Sequence, residues 1–510
     1  MLKRIDKVAV VGGGTSGWFA AAYIKNNLKV DVTLIDKEVG TPVGVGEGTL
    51  LNFDHFLNKC GFTTDEWFDE VDATFKSGIL FPKWAGDNHI VWHPFFTNPE
   101  TEGLDGSVYE AYSHYKDTTD FHTMSAFFST SVRNKVDQAN LRYYAMHVDA
   151  SKIVKFLQER CAEQMTLIKS EVVEVSRNTE GYVNKLTCKD GTEVEADLFI
   201  DCTGFLQLLQ DNPENVDLTD RLFVDTAVAS HVPYEDVERE RHPYVISEAN
   251  EHGWTWNIPV RSRIGSGMVF NRGITDIDEA KEWFCNYWNN RITPDDLKVI
   301  DWTPYYTKKF WDKNVVAIGL SGGFIEPLES TGISMIITGV GELVGRIQTN
   351  CYTDLDIEHY NLLMKNFYEY TVDFVSMHYG YAEFDSPFWD HVRSTFKKSE
   401  HHLFYEDMIK QGRRYNSDGK GFFFGGANWL CWLLQLNPDA ITPVKTLDES
   451  AAKMILIDWQ DWLNMSQTSL HWPDDTIPSQ QVVPHTYVLD RAKEILKDMR
   501  MNFIERGDDL

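Results

Sequence analysis

Three glycines close to the N-terminus have a spacing that can bind phosphate. Gly12, Gly14 and Gly17 fit G-x-G-x-x-G, which here follows an apolar, β-branched run and precedes a helical pattern. The first glycine allows a tight turn, the second lets the backbone approach a pyrophosphate, and the third lets the helix pack on the strand. The N–H groups of the first helical turn, with Thr15 and Ser16, would face the phosphates. The pattern predicts a dinucleotide site; the alternative is a glycine turn without a ligand.

A carboxylate stands where a bound ribose would need one. A second apolar run, residues 30–35, ends in Asp36. This acid lies about 20 residues after the middle glycine, the distance at which dinucleotide-binding units place the carboxylate that bonds the ribose. A glycine-rich loop follows over residues 40–49. It could lie against a flat ring system, or it could be an ordinary surface loop.

Composition indicates a large, acidic globular protein. The chain has 510 residues, of which 43% are hydrophobic and 25% charged, and its formal net charge is −29. This charge argues against partners such as nucleic acid or anionic membranes, and no apolar run is long enough to span a bilayer. The cysteines show no C-x-x-C spacing, which favours reduced thiols and no metal site. We expect a cytoplasmic protein without a signal segment ahead of its first strand.

The order of the elements predicts an α/β fold with a Rossmann-like module of the two-dinucleotide type. The buried run 196–202 ends in Thr-Gly204, the second characteristic piece of such modules; a buried strand closed by a plain turn is the alternative. Residues 167–186 suggest a small meander. Residues 221–270 alternate with period 2 and predict a larger sheet. The part after residue 355 is mainly helical.

Lys76 is predicted to follow a helix over residues 65–75 that begins at Thr64. Residues 86–150 are polar and irregular, with one helix near 134–147, and we interpret them as an insertion. The predicted domains are a discontinuous cofactor module, 1–85 plus 151–350, and a substrate-binding part, 86–150 plus 351–510.

Four segments carry a more specific signal. They read G-G-G-T-S-G-W (12–18), F-K (75–76), W-T-W-N-I-P (254–259) and P-L-E-S-T-G (327–332). With these four segments in this order, the chain resembles the flavin-dependent halogenases of the tryptophan-halogenase type. In that family, W-x-W-x-I-P is a signature that separates the halogenases from flavin monooxygenases. Each segment also has a plain interpretation, such as core packing for the tryptophans, or helix capping for the lysine and the glutamate.

The resemblance implies a two-component reaction. A separate flavin reductase supplies reduced FAD (FADH2), halide and O2 are co-substrates, and hypohalous acid crosses an internal tunnel to a small aromatic substrate. Lys76 would hold the acid, by hydrogen bonding or as a haloamine. Glu329 would stabilise the cationic ring and help to remove its proton, with support from Ser330. The backbone of Thr331 and Gly332, at a helix start, would bind the halide.

The resemblance also implies which residues surround the flavin. They belong to the two glycine turns, the glycine-rich loop and the strand and helix ends near them: Gly12, Gly14, Thr15, Ser16, Gly17, Asp36, Val45, Gly46, Val172, Gly204, Leu320 and Ile333.

Two segments bear on the substrate. His93-Pro94-Phe95 matches an H-P-F segment that helps to sandwich the indole ring in tryptophan enzymes, and Phe95 would stack on a flat aromatic; a surface turn is the alternative. The Tyr-Tyr pair and later Glu that hold the amino-acid group are missing, because residues 422–432 are apolar. We expect an indole-like or other electron-rich aromatic without a zwitterion. Trp429 could line the pocket or pack in the core.

Two other functions stay open at this point. An FAD monooxygenase that hydroxylates an aromatic would share the fold but would not need Lys76 and Glu329. A flavin-binding protein without catalysis would need neither. The sequence does not choose between chloride, bromide and iodide, and it allows a homo-oligomer.

Overall fold

The computed structural model describes residues 4–37, 46–86, 90–95, 113–114, 144–412, 423–436, 442 and 448–454. The chain divides into two compact units. The first is Met1–His93 with Tyr144–Asp407 and Asn416–Asn437; the second is Pro94–Tyr143 with Met408–Tyr415 and Pro438–Leu510.

The strands are β1 (Lys7–Val11), β2 (Asp31–Ile35), β3 (Glu47–Gly48), β4 (Thr74–Lys76), β5 (Gly78–Pro82), β6 (Ile90–Pro94), β7 (Ala145–Val148), β8 (Thr166–Ile168), β9 (Val172–Arg177), β10 (Val183–Cys188), β11 (Glu193–Val194), β12 (Leu198–Asp201), β13 (Asn215–Asp217), β14 (Thr226–Val232), β15 (Val245–Asn250), β16 (Gly253–Pro259), β17 (Ile264–Phe270), β18 (Lys298–Asp301), β19 (Tyr305–Thr307), β20 (Trp311–Asp312), β21 (Val315–Ala317) and β22 (Gly323–Phe324). The helices are α1 (Thr15–Asn27), α2 (Asn52–Lys59), α3 (Thr64–Trp67), α4 (Ala150–Cys161), α5 (Val237–Glu240), α6 (Ile277–Tyr287), α7 (Gly332–Gln348), α8 (Asp354–Gly380), α9 (Pro387–Thr395), α10 (Glu400–Lys410) and α11 (Gly426–Leu436).

The glycine turn belongs to a six-stranded sheet with the order β20-β21-β12-β1-β2-β8. β1 runs parallel to β2 and β12, so that Val11 lies beside both Ile35 and Asp201. Because parallel strands end at the same edge, the turn after β1, Asp36 and Gly204 all follow that edge. The predicted α/β fold with a Rossmann-like module is confirmed.

The predicted larger sheet has seven strands in the order β18-β14-β17-β16-β15-β5-β6. β16 and β17 are buried along their whole length, because both faces of the sheet are covered. Met268 packs with residues of α6 on one face. Trp254 alternates onto the opposite face, since its neighbour Thr255 pairs with Met268, and there it contacts Tyr379 of α8.

The predicted helix over residues 65–75 is wrong. α3 ends at Trp67, and its N-cap is Thr63 rather than Thr64. The chain then turns through Asp72, which has a left-handed backbone with φ of 61°. Lys76 therefore ends strand β4, because pairing with β7 overrides the local helical pattern.

Two smaller predictions are also wrong. Ala145–Val148 is strand β7 between β3 and β4, whereas a helix was expected near 134–147, of which the first part lies outside the described residues. β8 pairs in parallel with β2 and belongs to the six-stranded sheet, so the meander consists of β9, β10 and β11. Neither segment encodes its partner strand locally, which explains both errors.

Among the helices that the structure describes, none combines the length and the apolar character needed to cross a bilayer.

Candidate active site

The turn between β1 and α1 leaves room for a phosphate. Gly12 has φ of 117° and donates its N–H to the Ile35 carbonyl at 2.9 Å. A Cβ atom on Gly17 would lie 1.7 Å from the Gly12 carbonyl oxygen, whereas one on Gly14 would have no atom within 4 Å. α1 has no acidic residue in its first turn and no side-chain cap, so the N–H groups of this turn, including those of Thr15 and Ser16, suit an anion.

Asp36 and the neighbouring turns complete this edge. A Cβ atom on Gly13 would lie 1.9 Å from Cγ of Asp36, so the carboxylate rests against the glycine turn. Gly204 has φ of 71° with open space at its Cα, and Gly319 packs closely on Ser16. The open Cα, the uncapped helix start and the carboxylate together fit a dinucleotide such as FAD.

The other residues expected around a flavin are more scattered. Leu320 follows Gly319 and is 38% exposed, whereas Ile333 is buried in the first turn of α7. Val172 is buried in the core cluster that contains Ile35. Gly46 has φ of 91°, and Val45 lies outside the described residues.

Lys76 meets Ser330 above Gly48. In the sheet β3-β7-β4, Lys76 pairs with Ala145 and Gly48 pairs with His147. A Cβ atom on Gly48 would lie 2.5 Å from Oγ of Ser330 and 3.2 Å from Nζ of Lys76, so only glycine leaves space for both groups. Nζ donates to the Thr49 carbonyl at 3.0 Å. Burial lowers the pKa of Lys76 to about 7, against the opposing attraction of Glu329.

Glu329 is delivered by a sharp change in chain direction. Pro327–Glu329 form a 3-10 turn, and Ser330 has a left-handed backbone with φ of 59°. Such a conformation in a residue other than glycine is costly and is typical of functional sites. Thr331 then starts α7 without a side-chain cap or an acid in the first turn, and Gly332 has open space at its Cα. This helix start therefore also suits an anion such as a halide.

Two histidines hold the carboxylate of Glu329. Nδ1 of His93 lies 3.0 Å from Oε1 and 2.9 Å from Oε2, and Nε2 of His378 lies 2.6 Å from Oε1. Burial alone would raise the pKa of Glu329. The charge of His93 and the hydrogen bonds from His378 and His93 outweigh that effect and lower the pKa to about 2. Nε2 of His93 bonds the Asn428 side chain at 2.9 Å.

The H-P-F segment is divided between the two units. His93 lies beside Glu329 in the first unit, as a hydrogen-bond partner of the carboxylate. Pro94 ends β6, and with Phe95 it falls in the second unit.

Trp429 is packed in an aromatic core. Its ring stacks on Tyr405 with centroids 4.8 Å apart and meets Phe374 edge-on at 5.5 Å. Trp432, one turn along α11, lies 3.8 Å from the His378 ring and shields the contact of His378 with Glu329. α11 carries no charged side chain.

The W-x-W-x-I-P segment contacts a second buried glutamate, which the sequence analysis missed. Nε1 of Trp254 donates to Oη of Tyr379 at 2.8 Å and to Oε1 of Glu326 at 3.3 Å, and Tyr379 also donates to Glu326. Burial raises the pKa of Glu326 to about 8, although both hydrogen bonds oppose the shift. Trp254 thus anchors the segment that leads to Glu329.

His147 is a further group without a sequence signal. The Thr74 hydroxyl donates to the Pro259 carbonyl, so it must accept from Nδ1–H of His147, 2.9 Å away. Nε2 is then a lone-pair acceptor, buried without a partner among the residues described. The sequence motifs do not include His147, His378 or Asn428, because the roles of these residues depend on pairing between distant segments.

Comparison with known proteins identifies the family of this chain. The tryptophan halogenase family model matches residues 7–449. Tryptophan 6-halogenase ThaL of Streptomyces albogriseolus is 31% identical over 421 residues, covering 76% of this chain and 79% of that protein. Tryptophan 7-halogenase RebH of Lentzea aerocolonigenes is 29% identical over 497 residues, covering 87% and 92%.

A solved structure of a flavin-dependent halogenase has the same fold. Xcc4156, a flavin-dependent halogenase from Xanthomonas campestris, superposes with a TM-score of 0.82 at 25% identity and covers 91% of this chain and 96% of its own. The resemblance inferred from four short motifs is confirmed. The chain therefore belongs to the tryptophan halogenase family and is a flavin-dependent halogenase.

Proposed function

We propose that this halogenase uses reduced FAD, O2 and halide to form hypohalous acid, which Lys76 positions for electrophilic halogenation of an electron-rich aromatic. The observation that carries the proposal is that Nζ of Lys76 and Oγ of Ser330 both lie close to Gly48. Ser330 directly follows Glu329 in the sequence, and the charge of Glu329 acts on Lys76. A buried ammonium and a buried carboxylate are the two charges that this reaction needs, one for the oxidant and one for the ring.

The flavin would be held at the edge of the six-stranded sheet. The first turn of α1 would bind the pyrophosphate and Asp36 the ribose, within a module of residues 1–85 and 151–350. Bound FAD, reduced by a separate reductase, supplies with O2 the oxidising power that converts halide to hypohalous acid. The start of α7 at Thr331 and Gly332 would hold the halide.

Lys76 would act as hydrogen-bond donor and acid. Its ammonium would hold the oxygen of hypohalous acid, and the Ser330 hydroxyl, which like Nζ lies close to Gly48, would be a second partner. As the ring carbon bonds the halogen, the oxygen–halogen bond breaks, its electron pair stays on oxygen, and the Lys76 proton completes a water molecule. A pKa of about 7 suits this transfer near neutral pH.

Glu329 would act on the ring. Its carboxylate is ionised at neutral pH, because its pKa is lowered to about 2, and so it can stabilise the cationic intermediate. The ring C–H bond then breaks, its electron pair restores the aromatic system, and the proton passes to the carboxylate. This proton balances the one that Lys76 gives up.

We propose an indole-like substrate without a zwitterion. ThaL and RebH are named for tryptophan, so an indole ring is the nearest model. The polar side chains of α11, Asn428 and Gln435, are bonded to His93 and to the Trp92 backbone. α11 thus offers no carboxylate for a substrate ammonium group.

The test is a parallel assay of indole and free tryptophan with reduced FAD, O2 and either bromide or chloride, read by mass spectrometry. We expect monohalogenated indole to form faster than halogenated tryptophan. A hydroxylated product without halogen would contradict the reaction. Faster turnover of tryptophan would contradict the substrate class alone.

A further inference from the structure

His378 has a fixed tautomer. It lies in α8, is fully buried, and its Nδ1 is 2.8 Å from the Phe374 carbonyl oxygen, one turn earlier on the same helix. A carbonyl oxygen only accepts hydrogen bonds, so Nδ1 must carry a proton. In a neutral imidazole with this tautomer, Nε2 is a lone-pair acceptor.

The other nitrogen of the ring faces an anion. Nε2 of His378 is 2.6 Å from Oε1 of Glu329, and a lone pair facing a carboxylate oxygen at this distance would be repulsive. One proton must therefore lie between the two atoms. Nδ1 of His93 lies 2.9 Å from Oε2, and the pKa of Glu329 is lowered to about 2, so the carboxylate keeps its negative charge and the proton belongs to His378.

The surroundings seal this pair from water. Four aromatic rings that do not titrate pack against the His378 ring. They are Phe374 of the same helix, Phe81 of β5, Trp84 just after β5, and Trp432 of α11. Burial lowers the pKa of His378, whereas the hydrogen bond and the charge of Glu329 raise it. The contacts of Nδ1 and Nε2 place the proton on His378 in spite of this burial. The other titratable groups that act on the pair are His93 of β6, which contacts Glu329, and Lys76 of β4, which attracts Glu329.

The two oxygens of Glu329 are then unequal. Oε1 has both histidines as partners, whereas Oε2 has His93 alone among the residues that the structure describes. We propose that His378 is a positioning residue that holds this proton as an imidazolium, keeps Glu329 ionised and leaves Oε2 as the atom that takes the ring proton. The inference rests on the proposed function for the role of Glu329, but the position of the proton does not.

The first test needs no turnover. Histidine is labelled with 15N in the wild type, and the His378 signals are assigned by their loss in His378→Gln and their retention in His252→Gln, a histidine at the β15–β16 turn. We expect both ring nitrogens of His378 to be protonated from pH 6 to 8. In Glu329→Gln, which is useful should His378→Gln fail to fold, Nε2 should lose its proton. A neutral His378 in the wild type would overturn the proposal.

The second test measures halogenation kinetics. Glutamine can donate to Glu329 but cannot carry charge, so His378→Gln should slow ring halogenation about tenfold and leave hypohalous acid formation unchanged. Loss of the neighbouring cation should move the acid limb of the pH profile up by about 1 unit or more. His252→Gln should keep the wild-type profile.

A double-mutant cycle completes the design. Because His378 is proposed to act only through Glu329, adding His378→Gln to Glu329→Gln should cost nothing more. Additive losses, or a His378→Gln profile with an unmoved acid limb, would overturn the positioning role. If the wild type halogenates no aromatic, the proposed function fails, while the NMR result still decides where the proton lies.

Discussion

Glu326 immediately precedes the 3-10 turn and Glu329 ends it. Both are buried, but Glu326 is neutral at pH 7 and Glu329 is an anion. The pKa of Glu326 is raised to about 8, whereas that of Glu329 is lowered to about 2. Burial pushes both upward, so the difference comes from their partners. Neutral donors, Trp254 and Tyr379, leave Glu326 protonated. Two histidines hold Glu329 as an anion.

Within this one turn, Glu326 has a structural role and Glu329 is proposed to have a chemical one. A neutral acid bonded to Tyr379 and Trp254 ties the turn to α8 and to the large sheet, without bringing charge into the core. A carboxylate that two histidines hold as an anion suits the proposed role of Glu329, which is to stabilise a positive ring and accept its proton. Variants that change one of the two glutamates or its surroundings test this contrast.

The largest effect is expected from Lys76→Ala, which removes the amino group that interacts electrostatically with Glu329. Ring halogenation should fall at least about 1,000-fold, because the hypohalous acid loses its donor and its proton source. Formation of hypohalous acid, measured with a chemical trap, should continue. Lys155→Ala, an exposed position on α4, is the control. Loss of halide oxidation in Lys76→Ala would place the lysine in the earlier step.

Glu329→Gln should slow ring halogenation about 100-fold, because the anion that stabilises the ring cation is lost. Flavin binding, followed by fluorescence titration, should be unchanged. Glu326→Gln makes the same chemical change three residues earlier and should stay within about threefold of wild type at pH 7, since Glu326 is already neutral there. Equal losses in the two variants would remove the distinction between the glutamates.

Gly48→Ala tests the space that brings Lys76 and Ser330 together. The new methyl group would lie 2.5 Å from Oγ of Ser330, so one of the two side chains must move. We expect halogenation to fall about tenfold, since misplacing a reacting group by a fraction of an ångström is costly. Gly345→Ala, at an open position of α7, should keep full activity. Unchanged halogenation by Gly48→Ala would show that Lys76 and Ser330 act independently.

The smallest effect concerns stability. The pKa of Glu326 in the folded state, about 8, is above its ordinary value of 4.5. Its contribution to stability is therefore complete below pH 4.5 and is lost as pH rises towards 8. The Tm of the wild type, measured by calorimetry, should therefore fall relative to that of Glu326→Gln as the pH rises from about 4.5 to 8. A constant Tm difference between pH 5 and 8 would mean that Glu326 is ionised in the fold.

Much of the fold follows from local pattern. The strand, glycine turn and helix at residues 7–27 are encoded by adjacent residues, and the start of α7 at Gly332 follows from an apolar helical run. Lys76 is predicted to follow a helix because residues 65–75 look helical by themselves. Only the pairing with β7, more than 60 residues away, makes β4 a strand.

The candidate site is predictable to the extent that it is contained in motifs. Short segments predict Lys76, Glu329 and Ser330. His378, Asn428 and Glu326 were missed, because each acquires its role from a side chain on another element. The charge of Glu329 depends on two histidines that are 236 positions before and 49 positions after it. No local pattern encodes such a contact.

The most direct measurement of the central claim is infrared difference spectroscopy of the wild type against Glu326→Gln and Glu329→Gln at pH 7. Glu326→Gln should remove a carbonyl band of a protonated carboxylic acid, and Glu329→Gln should remove carboxylate bands. The opposite assignment, or two carboxylates, would contradict the account of how partners set the charges in this site.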